Sequence, residues 1–136
     1  MTDPDYGEFP LKQHLGLELS SEQAGTARAR IAVDERHLNP NGVVHGAVLF
    51  AMVDTAMGKA TMSVLPEGRF CASVDVQLRF VRPAYADGEL VADVEVLKQG
   101  RHVAHLEGRV VDADGRLIAI ASATFAVIDL PGTAPG

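Results

Sequence analysis

Residues 42–60, GVVHGAVLFAMVDTAMGKA, hold a single carboxylate, Asp54, in an otherwise apolar run. Between Val44 and Gly58 the only titratable side chains are His45 and Asp54. A carboxylate among apolar groups is costly unless it is paired or hydrogen-bonded. Activation of water is one chemistry that accounts for keeping an acid there, and His45-Gly46 opens the same run. Eight residues separate Gly46 from Asp54, which is about 12 Å along an α-helix. That is too far for both to act on one carbonyl within a single helix. The plain alternative is a buried acid satisfied by Thr55, Ser73 or a backbone donor.

The elements around this run follow from hydrophobic period and turn chemistry. Pro10 to Leu15 reads as a short helix stopped by Gly16. Ala27, Ala29, Ile31 and Val33 alternate with Thr26, Arg28 and Arg30, the period of a half-buried strand. ERHLNPNG at 35–42 is a loop, because Pro40 lacks an N–H and Asn39, Asn41 and Gly42 favour turns. A helix over roughly 45–63 follows; it is apolar nearly all round and is expected to be buried. LPEG at 65–68 ends it.

Four strand-like segments come next. In FCASVDVQLRFV, Ala72, Val74, Val76, Leu78 and Phe80 alternate with Ser73, Asp75, Gln77 and Arg79, which sets Ser73 on the face opposite Val74. ELVADVEVLKQ follows, and the last two segments join at the hairpin signal Asp112-Ala-Asp-Gly115. The expected order is short helix, strand, long helix, then four strands in meander order, an α+β arrangement whose antiparallel sheet curls around the helix.

With 136 residues, 47% hydrophobic and 22% charged, the chain suits one globular domain spanning 1–136. Residues 1–8 and 130–136 read as loose ends. A net charge of −6 argues against nucleic-acid binding, which needs a basic surface. The apolar run is broken by His45, Asp54 and Lys59 and is no membrane span. Cys71 has no intrachain disulfide partner, and the N-terminal residues show no signal-peptide pattern, so a cytoplasmic protein is expected.

The pattern Asn39-x-x-Gly42-x-x-His45-Gly46, with Asp54 eight residues beyond, resembles the hotdog-fold acyl-CoA thioesterases of the phenylacetate-pathway and human thioesterase-superfamily type. HLGLEL at 14–19, Ser73–Asp75, FVRPA at 80–84 and GRHVAHLEGRV at 100–110 extend the likeness over about residues 10–128. The family often has His-Gly-Gly; here it is His45-Gly46-Ala47, which leaves the Gly46 amide intact. The resemblance implies a hotdog fold, with the antiparallel sheet wrapped around one long central helix. It implies Asp54 as general base or nucleophile and the Gly46 N–H, at a helix start, as donor to the thioester oxygen. Asn39 and His45 match positions that hold water or contact the thioester, and Ser73 one that orients the water. It further implies a homodimer in which Gly46 of one chain faces Asp54 of the other, and assembly of such dimers into a homotetramer.

Arg79, Arg82, Lys98 and Arg101 are candidates for the phosphates of coenzyme A, or simply solvated charges at a sheet edge. No metal or other cofactor is expected: His102 and His105, three apart in a strand, point to opposite faces. Two rival functions share the fold. A non-catalytic acyl-CoA-binding module has no need of a buried acid, and a hotdog hydratase carries a helical His where this chain has Lys59.

Overall fold

The computed structural model describes residues 8–129. α1 (Pro10–Leu15) leads into β1 (Leu17–Ser20) and β2 (Thr26–Ala32); a 3-10 turn (Glu35–His37) and a loop then precede α2 (Gly46–Met62). β3 (Arg69–Phe80), β4 (Glu89–Gln99), β5 (Val103–Val111) and β6 (Leu117–Asp129) complete the described residues. The proposed loose ends fall almost wholly outside the described residues; Glu8, at the border, accepts from Lys12 at 2.7 Å.

All six strands form one antiparallel sheet in the order β1-β2-β4-β5-β6-β3. This corrects the expected meander, because β3 pairs with β6 rather than β4. The connector after β3 explains the difference. The Val44 N–H donates to the Ala84 carbonyl at 2.8 Å and Val43 bridges Tyr85. Residues 84–85 are thus held against the loop before α2, and the chain crosses over before β4 instead of turning back as a hairpin. β1 is an additional strand, which the alternation at 26–33 does not announce.

α2 lies across β2, β4 and β3, inside the curl of the sheet. Its inward side, including Val48, Met52, Val53, Ala56, Met57 and Ala60, is buried. Small residues opposite it, such as Ala29, Ala92, Ala104 and Ala119, are buried too and let the helix approach the sheet closely. Each fully buried Met or Val here contributes roughly 1.5–3 kcal/mol of hydrophobic stabilisation. The helix is not covered all round, however. Ala47 and Phe50 are exposed, and Ala51, Asp54 and Thr55 are half-buried. Six strands reach around only part of the circumference, so an apolar stripe with Asp54 in it stays open.

β3 also departs from strict alternation. A β-bulge lies between Ser73 and Asp75, with Val74 the unpaired residue. Cys71 and Ser73 pair with the buried Val127 and Phe125, and beyond the bulge Val76, Leu78 and Phe80 pair with Ala123, Ala121 and Ala119. Partners in register share a face. Ser73 therefore belongs to the helix-facing side with Val76 and Leu78, not with Asp75 and Gln77. One inserted residue reverses the phase of everything before it, which is why the sequence pattern misassigned Ser73.

Candidate active site

β3 runs antiparallel to α2 and fixes what the open stripe meets. The Cys71 thiol is 3.7 Å from the Gly58 carbonyl, Ser73 faces Asp54, and Phe80 stands over Gly46. Burial raises the Asp54 carboxyl above the ordinary aspartate value, and the Ser73 hydroxyl pulls it partway back. Asp54 Oδ1 is buried without a hydrogen bond among the described residues. An unpaired carboxylate oxygen is a ready acceptor for a water proton, whereas a structural acid is normally satisfied.

The other end of the stripe is built by the loop before α2. His45 is the N-cap: its extended backbone starts the helix and its Nδ1 accepts from the Ala47 N–H at 2.9 Å. With Nδ1 so engaged, the neutral ring carries its proton on Nε2. The Gly46 N–H, at the first helical position, has no hydrogen-bond acceptor among the described residues. It is one of the unpaired donors of a helix start, where the helix dipole favours developing negative charge. A Cβ at Gly46 would sit 3.1 Å from the Phe80 Cζ.

Asn39 closes the turn that delivers His45. Its Oδ1 accepts from the N–H groups of Asn41 and Val43 at 2.9 and 3.3 Å, and Gly42 takes φ 79°, a conformation suited to glycine. The Asn39 oxygen is thus committed to the loop, and its amide nitrogen is the group left for any ligand.

His37 was not among the sequence candidates, yet it anchors this end. It is fully buried, accepts from the Asp34 N–H at its Nδ1 (3.0 Å) and donates from Nε2 to the Leu15 carbonyl (2.8 Å). Its own carbonyl accepts from the His45 N–H at 2.8 Å. The signal available in sequence was Asp34-x-x-His37, a reciprocal capping pair. Phe80 also went unremarked as a site residue, because the strand pattern gives no hint that it reaches the helix start.

Asp54 and Ser73 are therefore brought together, as are Gly46, His45 and the Asn39 loop, but the two groups stand at different points along α2. The four basic candidates are dispersed. Arg79 lies on the outer face of β3, and Arg82 donates to the Leu117 carbonyl at 3.2 Å. Arg101 lies at the opposite end of β3, where its carbonyl accepts from Arg69, and Lys98 precedes it on β4. A cleft of about 770 Å³ lies on the outer sheet face and is lined by Arg28, Arg79, Asp93 and Arg109 among others. None of Asp54, Ser73 or Gly46 lines it. Asp54 lies instead on the open stripe of α2, which is not concave within one chain.

One long helix in a curled antiparallel sheet is the hotdog arrangement, here with an acid midway along the helix and a glycine amide at its start. A family model described as the thioesterase superfamily matches residues 41–119, more than half of the chain. Human acyl-coenzyme A thioesterase 13 is 31% identical over 106 residues, covering 76% of this chain and 74% of that protein. The acyl-coenzyme A thioesterase PaaI of Escherichia coli is 27% identical over 106 residues, covering 78% and 74%. A solved thioesterase structure from Haemophilus influenzae superposes with a TM-score of 0.84 at 26% identity, over 92% of this chain and 87% of that one. The chain belongs to the thioesterase superfamily.

Proposed function

We propose that this protein hydrolyses an acyl- or aryl-acyl-CoA thioester to the free acid and coenzyme A, in a site completed by a second copy of the chain. The observation that carries this reading is the placement of Asp54 and Gly46 on one open stripe of α2, about 12 Å apart by helix rise, each with an unused polar atom. Two antiparallel α2 helices laid stripe to stripe bring each Asp54 to the other chain's Gly46. β3 is an edge strand twelve residues long, with no strand on its outer side among the described residues. Such an edge is a template for pairing, and its pairing with a second β3 would cover both the edge and the apolar stripe.

Asp54, ionised, takes a proton from a water held with the help of Ser73. The hydroxide attacks the thioester carbonyl carbon, and the oxyanion accepts from the partner's Gly46 N–H. Collapse breaks the carbon–sulfur bond, and the proton held by Asp54 passes to the departing thiolate. Direct attack by Asp54 through a mixed anhydride uses the same groups. Asn39 and His45 hold the thioester end in position. Arg82, two residues beyond Phe80, would be the nearer of the two arginines to a coenzyme A phosphate, whereas Arg79 lies on the outer face of β3. Antiparallel β3 pairing also brings Lys98 and Arg101 of the second copy toward that end, where coenzyme A phosphates need cations. Two such dimers joined through their outer sheet faces would give the tetramer.

The test is thiol release from short, medium, long and arylacetyl-CoA thioesters. Turnover of at least one class supports the reading. Binding of acyl-CoA without turnover of any would instead favour the non-catalytic module.

A further inference from the structure

The open stripe of α2 holds a third residue of consequence. Gly46, Phe50 and Asp54 follow one another at intervals of four, so they are neighbours along one helix face. Phe50 is 42% exposed and Phe80 is 58% exposed, high values for aromatic side chains beside a candidate site. A helical side chain leans toward its own N-terminus, so the Phe50 ring covers the turn that begins at Gly46. Across the groove the Phe80 Cζ and Cε1 stand 3.1 and 3.3 Å from the point a Gly46 Cβ would occupy. The half-buried Val76 and Leu78 continue that wall toward Ser73.

The shared-site reading, on which this inference rests, fixes a register. Gly46 can face the other chain's Asp54 in both directions only if position 50, midway between them, lies on the two-fold axis. Phe50 then meets its own copy, and the pair separates the two sites. A thioester whose oxygen lies on the Gly46 N–H has two arms. The sulfur arm carries coenzyme A, which is charged and bulky and must run out to solvent. The acyl arm is left facing the rings.

We propose that Phe50 and Phe80 determine acyl specificity: the acyl group lies between them, with Phe80 as its side wall and the Phe50 pair as its end wall. Neither ring offers a charge or a strong donor, so selection is by size and apolar contact. A chain too long for the slot runs into the Phe50 pair, whereas a broad arylacetyl group gains contact with Phe80.

The experiment measures kcat/KM of Phe50→Ala, Phe50→Leu and Phe80→Ala on acetyl-, hexanoyl-, decanoyl- and phenylacetyl-CoA, with dimer mass followed by light scattering. In Phe50→Ala the decanoyl-to-hexanoyl ratio should rise about tenfold or more, within the range that one or a few methylenes command in an apolar pocket. Phe50→Leu, which keeps an apolar contact on the axis, should shift it the same way by less. Phe80→Ala should lower phenylacetyl relative to acetyl turnover by about tenfold. Ratios unchanged within about twofold in all three variants would overturn the proposal, whether the dimer persisted or not, and would leave the rings as mere interface packing. Failure of the wild type to release thiol from any thioester would remove the hydrolase reading first, and this one with it.

Discussion

Ser73 faces Asp54 because β3 bulges at Val74. Counting back from Phe80 through Leu78 and Val76, an unbroken strand would place Val74 against the helix and turn Ser73 away. The inserted residue exchanges an apolar side chain for a hydroxyl beside the one carboxyl of the stripe. Bulges re-aim side chains in this way next to active sites. The outcome is an acid with opposing influences on its protonation: burial raises its pKa and the serine lowers it.

The pH dependence of activity should carry both influences. Asp54 acts as base only when ionised, so the acidic limb of kcat/KM should lie above 3.8, the ordinary aspartate value. Ser73→Ala removes the lowering influence and should move that limb to higher pH. A pH–rate profile of the two proteins checks this; a limb at or below the ordinary value, or a downward move in the variant, contradicts it.

Asp54→Asn should lose about 10²–10⁴-fold in kcat/KM, the usual contribution of general acid–base catalysis. The same change should stabilise the fold at neutral pH. The folded-state pKa is raised, so the native protein holds its proton to higher pH than the unfolded chain does. Stability therefore falls as pH rises from the unfolded value through the folded one, and the deficit persists above it. Asparagine has no such deficit. Urea midpoints should favour the variant at pH 7 and converge in acid below both values.

Gly46→Pro isolates the amide donor. His45 has φ −63° and ψ 135°, a backbone that suits the residue before proline, and proline is favoured at the first helical position. The helix should therefore persist while the N–H is deleted, costing about 10²–10³-fold in kcat. Gly46→Ala keeps the N–H and only displaces the exposed Phe80 ring by a few tenths of an ångström, so it should retain most of the rate. Equal losses in the two variants would show that bulk, not the donor, matters.

His37→Leu should destabilise the protein by about 1–3 kcal/mol, by stripping the buried Asp34 N–H and Leu15 carbonyl of their partners. Denaturant unfolding reads this directly. A change under about 0.5 kcal/mol would mean that water replaces the imidazole there.

Much of this arrangement was legible in the sequence. α2 was bounded within a residue at each end, because the Gly42–His45 turn and the LPEG stop are local signals. Asp54 stood out because the cost of a charge among apolar residues is itself readable. What sequence reasoning missed were long-range and one-residue effects. The place of β3 beside β6 depends on how residues 84–85 dock on the loop before α2, and no periodicity records that. The bulge at Val74 inverted the face of Ser73 without altering composition. The helix, apolar enough to be buried, turned out to keep a stripe open, because coverage depends on how far six strands curl.

The central claim is that Asp54 of one chain and Gly46 of another form one site. Co-expression of Asp54→Asn and Gly46→Pro chains under different tags tests it most directly, with thiol release measured on the purified heterodimer and on the mixed pool. A shared site leaves one intact site in each heterodimer, so a statistical mixture should recover about a quarter of wild-type activity although each parent is inactive. If the mixture is no more active than its parents while heterodimers are present, the site lies within a single chain and the account is wrong.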